Sequence, residues 1–90
     1  MAQVKFTQAL RRFYPDLKTL TMEGDTVYEI VHGLEEQYPG LKDYIIDEHG
    51  QLRKHVNIFI QNTLIKDRKN LQDKISENDQ VYIMQALSGG

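Results

Sequence analysis

One segment sets the terms for everything around it. Thr26 followed three residues later by Glu29 is a capping box, in which each side chain can satisfy the other residue's free backbone N–H at a helix N-terminus. Behind it Val27, Ile30, Val31, Leu34 and Tyr38 recur at helical spacing, so one face of the helix is apolar and has to be buried. Pro39-Gly40 ends it. Gly33 lowers helix stability from inside, and its position predicts close packing against a strand. A single amphipathic helix has one stripe to bury, and a sheet with one matching face is the simplest partner for it.

The flanking segments supply that sheet. Val4 and Phe6 alternate with Lys5 and Thr7 as a half-buried first strand. Residues 11–16, with Pro15, read as a break, and 17–22 alternate again as a second strand. Glu23-Gly24-Asp25 is a turn. After the helix, Leu41, Tyr44 and Ile45 predict a short extra helical turn, and Glu48-His49-Gly50-Gln51 a reversal. Residues 55–60 form a strand with Val56, Ile58 and Ile60 on one face and His55, Asn57 and Phe59 on the other. Gln61-Asn62-Thr63 turns the chain into a short paired piece, Leu64-Ile65, followed by a charged loop over 66–70. Leu71 and Ile75 read as core anchors in an irregular stretch, and Glu77-Asn78-Asp79 as a turn. The last strand runs from Gln80 to about Ala86, with Val81 and Ile83 on one face and Tyr82 and Met84 on the other.

The expected fold is therefore α+β: a β-grasp with a mixed sheet of about five strands, one main helix across it and one short extra helical turn. No linker or repeat divides the chain, so residues 1–86 are expected to form one domain and 87–90 a flexible C-terminal diglycine tail. Adjacency of the first and last strands, in parallel, is what a β-grasp requires; the residue pattern itself does not show it.

Two features do not fit a plain solvated domain. If Val56, Ile58, Ile60, Val81 and Ile83 face the helix, then Phe59, Tyr82 and Met84 face outward, where charged or hydroxylic residues are usual. Either they form a partner-binding patch, or the segment 41–52 folds over them. The second feature is the end, Leu87-Ser88-Gly89-Gly90. Two terminal glycines have no side chain to pack and are costly to order, so on their own they read as a frayed terminus. They are also thin enough to thread a narrow channel and present an unhindered carboxylate to another protein.

The totals exclude several functions. A chain of 90 residues buries about 60–65% of its unfolded surface, enough for one core but little for an enclosed cleft. Net charge is −2, so no positive field argues for nucleic acid or an anionic membrane, and the basic clusters are short and separated. There is no cysteine, hence no disulfide, thiolate site or thiol nucleophile. His32, His49 and His55 lie in separate segments without ligand spacing, so no metal is expected. Glu35-Glu36 and Asp47-Glu48 read as solvated charge. The isolated glycines form no phosphate-binding loop. No catalytic residue is assigned. Met1-Ala2-Gln3 leads directly into the first strand and no apolar run approaches spanning length, so the expected location is cytoplasmic.

The apolar final strand ending in Gly-Gly, entered through the acidic turn Glu77-Asn78-Asp79-Gln80-Val81, resembles the MoaD/ThiS-type sulfur carriers of the ubiquitin-like superfamily. The stretch Arg53-Lys54-His55-Val56-Asn57-Ile58-Phe59-Ile60 and the helix stop Tyr38-Pro39-Gly40-Leu41 are similar to the longer members, including carriers that serve cysteine biosynthesis and archaeal relatives. The likeness covers nearly the whole chain. It departs at Ser88, where many carriers have Ala, and in the lack of a Gly at Gln61-Asn62.

This resemblance implies that an E1-like adenylyltransferase uses ATP to adenylate the Gly90 carboxylate and that a sulfur donor converts it to a thiocarboxylate. A sulfur-accepting synthase is then the second partner. ATP belongs to the activating partner, and no cofactor is bound intrinsically. Leu87, Ser88 and Gly89 would thread the partner's channel, and Phe59, Tyr82 and Met84 fall where ubiquitin-like proteins carry an exposed apolar patch. The favoured destination is cysteine or molybdopterin biosynthesis. The alternative is a ubiquitin-like modifier joined through Gly90 to target lysines. A non-covalent interaction module would instead keep its function after loss of Gly89-Gly90.

Overall fold

In the computed structural model, which describes residues 1–12 and 14–85, the strands are β1 (Ala2–Phe6), β2 (Leu20–Met22), β3 (Val56–Ile60), β4 (Thr63–Leu64) and β5 (Gln80–Gln85). They form one sheet in the order β2-β1-β5-β3-β4. β1 and β5 run parallel, with Val4 beside Val81 and Phe6 beside Ile83, and every other pairing is antiparallel. Two parallel neighbours need a long crossover, and the chain between them supplies it with the main helix, α2 (Val27–Gln37). This is the expected β-grasp.

Alternation and helical spacing meet in one core. Val27, Ile30, Val31 and Leu34 are fully buried, as are Val4, Val56, Ile58, Val81 and Ile83 on the sheet. Each such side chain removed from water contributes about 1.5–3 kcal/mol, so this contact holds the domain together. Gly33 sits where a Cβ would come within 2.8 Å of the Met22 methyl on β2, the close approach its position predicts.

Four local readings are refined. The Thr26 hydroxyl accepts the Glu29 N–H at 3.2 Å, but the Glu29 carboxylate accepts from Asp25 N at 2.9 Å, one residue outside the expected reciprocal pair. The free N–H of the preceding turn is equally within its reach. The first connection is no simple break: a helical turn, α1 (Gln8–Arg11), precedes it and buries Leu10 completely. That excursion leaves only three positions of β2 to pair with β1, so Leu17 is buried from a loop and not from a strand. In the Leu64-Ile65 piece the strand is Thr63–Leu64, while Ile65 turns into the core.

The segment after α2 packs on the helix side. Its short helix α3 (Lys42–Ile45) lies against α2, and Leu41, Ile45, Ile46 and Leu52 are all buried in the common core. The Glu35 carboxylate clamps this junction by accepting the N–H groups of Gly40 and Lys42, each at 2.9 Å. Those bonds, Gly40's first and then Lys42's, hold its pKa below the ordinary value. Gly40 is left-handed at φ +94°, with the Tyr14 hydroxyl packed on it.

Candidate docking face and tail root

The strand registers define the sheet face that looks away from α2. Phe59 on β3 stands opposite Tyr82 on β5, and Asn57 stands opposite Met84. Because alternate residues share a face, Phe59, Tyr82 and Met84 lie together on it, as their alternation with Ile58 and Ile83 predicts. With Gln61 and Asn62 they line one shallow depression. Met84 is 42% exposed. The segment 41–52 anchors Leu41, Ile45, Ile46 and Leu52 in the core on the other side of the sheet and does not cover it.

The face holds a residue that the alternation argument passes over. The β3–β4 hairpin pairs Ile60 with Thr63 and Phe59 with Leu64, which puts Leu64, 42% exposed, beside Phe59. The two-residue turn at Gln61-Asn62 fixes that register, so the turn length was the available signal. One cross-strand row therefore runs Leu64, Phe59, Tyr82, Lys5. Lys5 Nζ lies 5.3 Å from the Tyr82 ring centroid and 3.4 Å from its hydroxyl, which in turn donates to Gln80 Oε1 at 2.9 Å. These contacts fix the phenol at the edge of the patch.

The last described residue of β5, Gln85, ends the strand next to Met84 of this face. Gln85 stands opposite Val56, and its N–H donates to the Thr7 hydroxyl at 3.3 Å. Close to that end Arg68 is held in place. Its guanidinium donates to the carbonyls of Arg53 at 2.7 Å and Val56 at 3.0 Å and to Asn57 Oδ1 at 3.1 Å. Ala86 and the predicted site residues Leu87, Ser88, Gly89 and Gly90 lie outside the described residues.

His32 is in α2, stacked 4.0 Å from Tyr28, while His49 is in the 47–51 turn and His55 precedes β3. Burial first, then Lys42, lowers the His32 pKa. Among the described residues, no group of three or more His, Asp or Glu could hold a metal ion. Among them, no helix is long and apolar enough to cross a membrane.

Comparison with known proteins follows the same outline. A model of the ThiS family matches residues 4–90, through the terminal glycines. The sulfur carrier protein CysO of Mycobacterium tuberculosis is 29% identical over 75 residues, covering 81% of each chain. A chain in the crystal structure of the Amycolatopsis orientalis BexX/CysO complex superposes with a TM-score of 0.85 at 23% identity, covering 100% of both chains. Small archaeal modifier protein 1 of Methanosarcina acetivorans gives 0.80 at 25% identity, covering 99% of this chain and 95% of that one.

Proposed function

The chain belongs to the ThiS family, and from that premise we infer that it is a sulfur carrier whose Gly90 carboxylate is activated by an E1-like adenylyltransferase. It is a carrier, not an enzyme. In the activating step a carboxylate oxygen of Gly90 attacks the α-phosphorus of ATP, and pyrophosphate leaves. A sulfur donor then attacks the acyl carbon, and AMP departs with the acyl oxygen, leaving a C-terminal thiocarboxylate. The thiocarboxylate sulfur is nucleophilic at neutral pH and bonds to an electrophilic acceptor held by a synthase; water then cleaves the acyl–sulfur bond, leaving sulfur on the acceptor and restoring the Gly90 carboxylate. ATP is consumed by the partner, and the domain itself binds no cofactor.

The observation that carries this reading is the family match running through Gly89-Gly90. Glycine suits the chemistry, since a Cβ at either position would crowd the channel and the tetrahedral intermediate. Phe59, Tyr82 and Met84, together with Leu64, would dock the domain while residues 87–90 reach into the active centre. Residues 1–86 would then serve as the address and the tail as the reactive arm. Similarity to CysO favours a biosynthetic destination of the cysteine type.

Intact mass spectrometry of the protein taken from its own cell is the test. Exchange of one carboxylate oxygen for sulfur supports the carrier. Finding only the free carboxylate, with the adenylating enzyme and sulfide supplied, refutes it. Likeness to an archaeal modifier favours one second reading, conjugation through Gly90 to lysines of other proteins. An isopeptide-linked Gly-Gly remnant on those proteins would identify it.

A further inference from the structure

The outward sheet face has an uneven charge. The chain carries 13 Asp and Glu against 11 Lys and Arg, yet the positions that alternate with the core on the five strands include Lys5 and no carboxylate. Two cations border the apolar patch, and both are fixed. Lys5 sits over Tyr82, and Arg68 is fastened beside Asn57, the cross-strand neighbour of Met84. Neither has an acidic partner: the ion pairs among the described residues join the Met1 N-terminus to Glu77 and His49 to Glu48. All three hydrogen bonds from Arg68 go to neutral oxygens. A guanidinium carries its charge in any protein environment, so this half-buried one is oriented without being neutralised.

We propose that the surface docking here is a protein surface with an apolar centre and carboxylates on two sides, one side meeting Lys5 beyond Tyr82 and the other meeting Arg68 beyond Met84. This rests on the docking role given to the patch above and specifies the chemistry of the partner. Opposed charges at the rim fix register and raise the association rate more than they raise affinity. Aromatic rings with nearby cations also suit single-stranded nucleic acid. Two cations and a net charge of −2, however, make no continuous track for a phosphate backbone, and the isolated pair fits carboxylates better.

The adenylyltransferase, recovered from the source cell by pyrophosphate exchange that depends on both ATP and this chain, provides the probe. Its KM for the chain is measured from about 50 to about 300 mM NaCl, a range over which screening of rim charges changes strongly. KM should rise with salt. Lys5→Gln and Arg68→Gln should each raise it roughly 3- to 10-fold at low salt, leave kcat unchanged and flatten the salt dependence. Arg68→Lys should recover part of the loss. Lys74→Gln, beside the start of α2, should change nothing. Arg68→Gln also removes bonds to two backbone carbonyls, so Lys5→Gln, which loses only the 3.4 Å bond to the Tyr82 hydroxyl and none to the backbone, decides the matter if the Arg68 variant fails to fold.

A salt-independent KM, unmoved by Lys5→Gln but raised by Phe59→Ala, overturns the acidic rim and keeps the docking face. A KM unmoved by Phe59→Ala overturns both. Absence of any exchange removes the carrier reading and the proposal with it. Competition by a short single-stranded RNA, weakened by Lys5→Gln, overturns the proposal in favour of nucleic acid.

Discussion

Ile58 and Phe59 are neighbours in sequence and point to opposite sides of one sheet, so shortening each to alanine should damage different properties. Ile58 is 0% exposed, facing α2 from the middle of β3 beside Ile83. Removing its side chain loses burial and leaves a cavity, at a cost of about 2–5 kcal/mol. A domain of this size is stable by about 5–13 kcal/mol in all. At about 4–8 °C per kcal/mol, a loss of 3 kcal/mol lowers the thermal midpoint by about 12–24 °C. Phe59 is half-buried, and on the outer face it mainly loses its cross-strand contacts with Tyr82 and Leu64. Those pairs contribute about 0.2–1 kcal/mol each, so the expected loss is about 1 kcal/mol and the midpoint falls by about 4–8 °C. Pyrophosphate exchange should reverse the ranking. Below its melting temperature Ile58→Ala keeps the wild-type KM, whereas Phe59→Ala raises it by about tenfold or more, as removal of a central interface aromatic does. Circular dichroism melts and exchange kinetics on the same preparations decide. A Phe59→Ala midpoint as low as that of Ile58→Ala would show Phe59 to be a core residue. A wild-type KM for Phe59→Ala would show that partners do not bind there.

Gly40→Ala should destabilise the domain by at least about 1–2 kcal/mol, read as a lower urea midpoint, because a left-handed φ of +94° is strained for a side chain and a Cβ would lie 2.8 Å from the Tyr14 hydroxyl. Stability should fall with acid. Glu35, Asp47 and Asp67 have pKa values lowered mainly by backbone N–H groups of Gly40, Gln51 and Asn70 respectively. The unfolded chain therefore binds protons first, and their contribution, present above the ordinary values of 4.5 and 3.8, is lost as pH drops through the lower folded values. His32, lowered from 6.5 by burial and then by Lys42, acts in the same direction, with a loss that begins just below that pH. Urea midpoints taken against pH check both windows, and Glu35→Gln should flatten the acidic one. Gly90→Pro, or one residue added after Gly90, should abolish exchange and leave the melting midpoint unchanged; normal exchange would remove Gly90 from the chemistry.

Periodicity made the fold legible. Five apolar residues at helical spacing and alternation in two central strands fix the core side, and the outward set of Phe59, Tyr82 and Met84 follows by elimination. The failures share one cause: each depends on local contacts that no period repeats. α1 buries Leu10, which in sequence is a leucine directly before two arginines. Leu64 faces outward because the Gln61-Asn62 turn sets its register, not because its own segment alternates. Glu29 chooses Asp25 over Thr26 for want of anything in the spacing to separate the two. Arg68 was the least readable. Within a charged loop it resembles solvated charge, and only the fold brings Arg53, Val56 and Asn57, 11 to 15 residues away, around its guanidinium.

The proposed division of labour between face and tail also constrains the partner. Whatever path residues 86–90 take, the five residues beyond Gln85 span at most about 18 Å. Gln85 is one residue past Met84, so the patch and the root of the arm are a single rigid unit held by the β3 and β1 pairings of β5. An enzyme that adenylates Gly90 while the domain is docked must therefore place its apolar contact within that distance of its nucleotide site, plus the short step from Met84 to Gln85. Lengthening the tail would relax this condition only slightly in energy, since loop-closure entropy grows with the logarithm of length. It would remove the coupling of docking to positioning, on which a near-attack geometry depends. A variant with residues inserted between Gln85 and Leu87 should thus bind the adenylyltransferase as tightly as the wild type and turn over more slowly. Loss of affinity without loss of kcat would place the docking contact on the tail itself.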